Sequence, residues 1–300
     1  MNTQRKADMM LVLVTLCWGV SYFFMNICLR ELGPFTINMF RFCGAFVIAA
    51  AVSFPKLRTV NRTTLKYSMI ISIALVFVYT GVTFGVKYTS LSNSGFLSSL
   101  TVVFTPVLAF FIKKQKPDKK LAIVVLMCLI GVALMTLNER FQMAPGDIFC
   151  LMCAVSYAAD LLITESAVSK EEVNAFQLGI FQLGFTGVIM LMLALLFEEP
   201  HLPASAPVWG AISFLAIFCT GVAFIVQAIA QQHTTASHVG VIFALEPVFA
   251  AIVAFVFAGE RLLPRAYIGA AMMLIGVFAM ELDLKNITAA VKGKLCRNSD

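Results

Sequence analysis

Four ionisable side chains stand in apolar surroundings where they need a reason to be. Glu246 lies inside the run GVIFALEPVFAAIVAFVFAGE (240–260), and Pro247 follows it at once. Asp160 sits in a second apolar run, three residues after Tyr157 and four before Thr164, so the three share one helix face. Arg41 lies within a third run. His238 precedes Glu246 by eight residues, so the two can share one stripe of a helix. An ionisable group at the centre of a helix in lipid costs about 2.5–3.5 kcal/mol, so each must be offset by pairing, by water or by a task. The tasks follow from the groups. A carboxylate can hold a cation or a proton. A guanidinium can grip a carboxylate with two parallel bonds. An imidazole can titrate near neutrality.

Each residue also has a plainer reading. Pro247 lacks an N–H, so the carbonyl of Phe243 loses its usual partner; Glu246 then either shapes a kink or meets a substrate or proton. Asp160 either binds a cation or proton, or lies near an interface and pairs with Lys170. Arg41 either faces a cavity or snorkels to the surface. His238 either titrates or is a satisfied buried histidine. Trp18, Tyr22, Tyr79, Tyr157 and Phe243 are candidate aromatic walls. Ser94, Ser98 and Gln227 offer hydrogen bonds, although serines in such helices often serve only close packing. Gly81 and Gly85 form a GxxxG that reads as a helix contact. His233 and His238 are five residues apart, a poor spacing for a metal, and Cys150 and Cys153 have no second ligand pair. Neither a metal nor another cofactor is expected. The three histidines form no catalytic constellation, and no nucleotide-binding lysine motif is present, so an enzyme is not expected.

The elements that must position these residues are membrane helices. The chain of 300 residues is 60% hydrophobic and 13% charged, against about 25% charged in a soluble domain. The net charge of +6 does not indicate nucleic acid, because the basic residues lie in short loops between apolar runs. A helix needs about 20 apolar residues to cross a bilayer. Ten runs qualify: 8–29, 35–54, 67–86, 92–113, 120–137, 146–164, 174–196, 208–230, 236–257 and 264–282. With the N-terminus in the cytoplasm, the inner segments hold most of the lysines and arginines, and the outer ones hold Arg30, Lys87, Arg140, Arg261 and Arg265. That bias places both termini in the cytoplasm of a cell-membrane protein. Glu260, Arg261 and Arg265 are expected to form an ion-pair cluster outside.

The sequence also repeats. YTSLSNSGFLSSLTVVF (88–104) aligns with HTTASHVGVIFALEPVF (233–249) at an offset of 145, which also carries LIGV at 129–132 onto LIGV at 274–277. Five spans per copy put the second copy upside down, the inverted repeat of many secondary transporters. The fold class expected is all-α integral membrane, with ten transmembrane helices as two inverted five-helix repeats. The copies span 1–141 and 142–284, with a cytoplasmic tail at 285–300. One chain holds both copies, so no second chain is required.

EPVFAAIVAFVFAGERL (246–262), YTSLSNSGFLSSLTVVFTPVLAF (88–110) and LCWGVSYFFMNICLRELGPFTINMFRF (16–42) resemble the EamA branch of the drug/metabolite transporter superfamily. That family usually carries a proline where this chain has Val102; here the proline is Pro106. The resemblance implies carriage of small metabolites, often outward. Amino acids or related solutes are the first expectation, with proton-coupled efflux of cationic compounds as the alternative.

Overall fold

The structure, a computed structural model, describes residues 3–89, 91–114, 118–136, 144–258 and 264–281. Among them every regular element is helical. The first part of the chain forms α1 (Thr3–Cys28), α2 (Pro34–Leu57), α3 (Arg62–Tyr88), α4 (Leu91–Ser99), α5 (Thr101–Lys113) and α6 (Lys119–Thr136). The second forms α7 (Pro145–Val168), α8 (Ala175–Phe197), α9 (Ala206–Ala216), α10 (Ala223–Ala230), α11 (Ala236–Phe243), α12 (Glu246–Ala258) and α13 (Pro264–Glu281). A π-helical stretch, Ile217–Val222, joins α9 to α10, and a 3₁₀ turn, Gln231–His233, follows α10. Seven described helical units are long and apolar enough to cross a membrane, and Leu97–Lys113 and Pro264–Ala279 are shorter apolar helices. This is a multi-pass membrane architecture. The loop bearing Glu260 and Arg261 lies outside the described residues.

The helix interruptions have local causes. At Glu246-Pro247 the chain leaves α11, turns through Ala244 and Leu245, and restarts as α12 with Pro247 in its first turn. There its missing N–H costs nothing, because the first N–H groups of a helix have no intrahelical partner. The run 88–110 breaks at Leu100, between α4 and α5, although Pro106 lies inside α5. Leu100 is the residue that the offset of 145 carries onto Leu245.

Small residues set the helix spacing. A Cβ on Gly81 would lie 2.5 Å from the carbonyl oxygen of Phe149, so α3 and α7 touch backbone to backbone. At Gly19 a Cβ would meet that of Phe249 at 2.6 Å, where α1 crosses α12. Ser72 donates to the carbonyl of Gln182 at 2.9 Å and ties α3 to α8.

Two loops cap each other's helices. Glu198 accepts from the N–H groups of Phe35 (2.9 Å) and Thr36 (2.8 Å) and from the Thr36 hydroxyl (2.7 Å), at the start of α2. Glu31, just before α2, accepts from the N–H groups of Ala204 (3.1 Å) and Ser205 (3.3 Å), at the start of α9. Each carboxylate meets unpaired N–H groups at the positive end of a helix dipole.

Candidate functional site

A cavity lies in the half of the bundle that holds Cys28 and Tyr88. It encloses about 620 Å³, solvent at its mouth included. α1 supplies Trp18, Ser21, Tyr22 and Met25; α2 supplies Arg41; α3 supplies Val78, Tyr79 and Val82. Ser98, Ser99 and Thr101 flank the α4–α5 break, Cys153 and Tyr157 come from α7, and Phe224 from α10. Gly240, Phe243, Ala244 and Glu246 line it across the α11–α12 break. Both interrupted helices therefore turn their irregular backbone toward this space, which is where irregular backbone is tolerated in a membrane protein.

Three rings form its base. Tyr157 and Phe243 are stacked, with centroids 5.9 Å apart and planes at 6°. Trp18 meets both edge-on, at 5.6 Å and 4.8 Å. The indole N–H of Trp18 donates to the carbonyl of Cys219 at 2.9 Å, within the π-helical stretch. Such a stretch widens the backbone ladder and turns groups toward outside partners. Its next residue, Thr220, receives the Nε–H of Arg41 at 3.1 Å.

Arg41 is 1% exposed and its guanidinium lies 4.7 Å from the centre of the Tyr79 ring. The snorkelling alternative is thereby overturned: the side chain points inward, held by Thr220 and Tyr79. Glu246 starts α12, where the helix dipole favours a carboxylate, and its carboxyl group faces the Tyr22 hydroxyl. Those two features offset its cost inside the bundle. Among the described residues no ion pair joins Arg41 to Glu246 or to any other acid. The cavity thus offers a cationic group on α2 and a carboxyl group on α12.

Eight expected site residues line this space: Trp18, Tyr22, Arg41, Tyr79, Ser98, Tyr157, Phe243 and Glu246. Ser94, Asp160, Gln227 and His238 do not. Ser94 turns to the Cys150 sulfur at 3.2 Å, a contact between α4 and α7. Gln227 lies behind Tyr157, accepting its hydroxyl at 3.1 Å. Asp160 lies beyond Gln227 and is 1% exposed; it does not pair with Lys170, whose ammonium sits 5.6 Å from the Tyr67 ring. His238 approaches Asp8 on α1 at 3.3 Å, an ion-pair distance without hydrogen-bond alignment.

The sequence reading missed Thr220 and the residues that close the other half of the bundle. There Lys113 pairs with Glu165 at 2.8 Å, and Glu165 also accepts the N–H of Ala236 at 3.2 Å, capping α11. Asp8, the first residue of the expected span 8–29, is not among the expected site residues. Its signal was available: an acid in an apolar helix, with a histidine at the matching end of another.

Comparison with known proteins agrees with this architecture. The sequence profile described as EamA-like transporter family matches residues 5–137 and again 144–282. An uncharacterized transporter of Archaeoglobus fulgidus is 30% identical over 278 residues, covering 92% of this chain and 86% of the relative. The uncharacterized transporter YoaV of Bacillus subtilis is 20% identical over 282 residues, covering 91% and 96%. A solved crystal structure superposes with a TM-score of 0.77 at 16% identity, over 92% of this chain and 96% of that one, so the fold is shared. These relatives point to a transporter rather than an enzyme. With two matches that together cover nearly its whole length, the chain belongs to the EamA-like transporter family.

Proposed function

We propose that this membrane transporter is a secondary active exporter of small zwitterionic metabolites, amino acids first among them. The observation that carries the reading is the cavity's pairing of an uncompensated guanidinium, Arg41, with a carboxyl group, Glu246, on another wall. An amino acid presents the complementary pair: a carboxylate for Arg41 and an ammonium for Glu246. The base of Trp18, Tyr157 and Phe243 suits its side chain.

In this reading the chain crosses the cell membrane ten times as two inverted repeats, with both termini cytoplasmic. Support comes from the shared offset of the two breaks, Leu100 and Leu245, and from the double family match. The cavity then lies toward the outside. The cytoplasmic half is closed by Lys113–Glu165 and Asp8–His238. Rocking of the repeats opens that half and closes the outer one.

Efflux of cationic compounds is the second reading, favoured by the aromatic base beside Glu246. Counterflow in proteoliposomes separates the two. Liposomes loaded with unlabelled amino acids should take up labelled amino acid saturably, and liposomes loaded with a cationic dye should not take up dye. Dye exchange alone would replace the first reading with the second.

A further inference from the structure

Beneath the aromatic base, away from the cavity, lies a buried acid that substrate contact does not explain. Asp160 is 1% exposed, and its Oδ1 has no hydrogen-bond partner among the described residues. Its Oδ2 receives only a long bond, 3.4 Å, from the Gln227 amide. One turn further along the same face of α7, the Thr164 hydroxyl is likewise buried and unpartnered. Two buried polar groups left open one turn apart on the same helix mark a place for a small ligand, because unmet buried polar groups are costly.

We propose that Asp160, with Thr164, is a proton-binding site that couples a proton to transport. The proposal rests on the transporter reading and adds the location of the driving ion. Three observations bear on a bound proton. First, an ionised carboxylate at this depth would need a cation beside it, and none is within ion-pair distance among the described residues. Second, Gln227 turns its amide N–H to Asp160, fixed in that sense because its carbonyl accepts the Tyr157 hydroxyl and its N–H also reaches the Gln231 carbonyl oxygen at 3.2 Å. A donor aimed into the site repels a metal ion. Third, the titratable groups on the elements packed against α7 are engaged or exposed. Lys113 on α5 is held by Glu165, and His238 on α11 by Asp8. Tyr79 on α3 lies against Arg41, while Lys66, Lys87, Tyr88 and His233 are exposed. Tyr67 lies under Lys170, and Tyr157, on α7 itself, donates to Gln227.

The arrangement also links proton to substrate. Tyr157 is at once a wall of the cavity and the donor to Gln227, which in turn touches Asp160. Movement of the Tyr157 ring by a solute shifts the hydrogen bond that screens Asp160. When the half closed by Lys113–Glu165 opens, water reaches the site. The Asp160 O–H bond breaks, the proton passes to that water, and the carboxylate remains.

Infrared spectroscopy of the purified protein tests this without any substrate. In heavy water near neutral pH, the wild type should show a protonated-carboxyl stretch that Asp160→Asn diminishes by one group. Glu246→Gln, run in parallel, identifies any contribution from the cavity acid. Thr164→Val, which keeps the acid and the helix, should shift the Asp160 component. An unchanged spectrum in Asp160→Asn would overturn the proposal, and an unmoved Asp160 component in Thr164→Val would overturn the part given to Thr164. Loss of the band on adding sodium at fixed pH would also overturn it, making this a sodium site. Absence of amino-acid exchange would sink the substrate reading instead and leave this band untouched.

Discussion

Replacing Arg41 by methionine keeps most of the side chain's length and removes the cation. In the native cavity Nε is taken by Thr220, which leaves the outer guanidinium nitrogens for a ligand carboxylate. A hydrogen bond to a charged group is worth about 1.5–3 kcal/mol. Water recovers part of what is lost when both bonds go, so about 2–3 kcal/mol of binding should disappear, or about 30- to 160-fold in affinity. The protein carries two tryptophans, Trp18 at the cavity base and Trp209 with much of its surface exposed, so Trp209→Phe leaves one reporter. Fluorescence titration with an amino acid, and with the amine that lacks its carboxylate, gives the two affinities needed. The amino acid should weaken by that factor while the amine keeps its affinity. The loss of the Thr220 bond and the Tyr79 contact should cost about 1 kcal/mol each in stability, so a melting curve must confirm the fold. Equal amino-acid affinity in Arg41→Met and its parent would refute the reasoning.

Three further outcomes follow from the framework. Glu198→Ala removes the acceptor of three hydrogen bonds at the start of α2 and should destabilise the protein by about 1–2 kcal/mol in detergent melts, whereas Glu198→Asp should recover part of this. Glu31, outside the spans, is held below the usual carboxylate range by the Ser205 side chain and then by the N–H groups of Ala204 and Ser205. It therefore stabilises the fold above that range and loses the contribution as pH falls through the lowered value, so the melting difference between wild type and Glu31→Gln should close on acidification. Gly81→Val drives a side chain into the Phe149 carbonyl and should cost about 1–3 kcal/mol through separation of α3 from α7, read as a lower melting temperature.

What the sequence made legible was what composition, period and local chemistry control. Apolar runs marked the helices, and Glu246-Pro247 marked a break, because a missing N–H acts on its own helix. Trp18, Tyr157 and Phe243 were recognisable as large rings in such runs, and they meet at the cavity base. The direction of Arg41 was not legible, because it depends on Thr220 and a π-helical stretch that no period announces. Asp8 and His238 are 230 residues apart in the chain, and only the packing of α11 against α1 brings them together. The same holds for Glu31 and Glu198, whose loops exchange caps across the bundle. Asp160 was legible as a buried acid, but its separation from the cavity by Tyr157 and Gln227 required the fold.

The central claim is that solute passes through the cavity lined by Ser98, Tyr157 and Glu246. It can be tested by blocking that space. Ser98→Cys, in a background freed of the eight native cysteines and still capable of amino-acid exchange, places one thiol in the cavity wall. Exchange in proteoliposomes is measured before and after reaction with a bulky maleimide, and the extent of labelling is measured with and without amino acid. Exchange should stop on labelling, and amino acid should slow the labelling. Unaltered exchange after complete labelling would contradict the account.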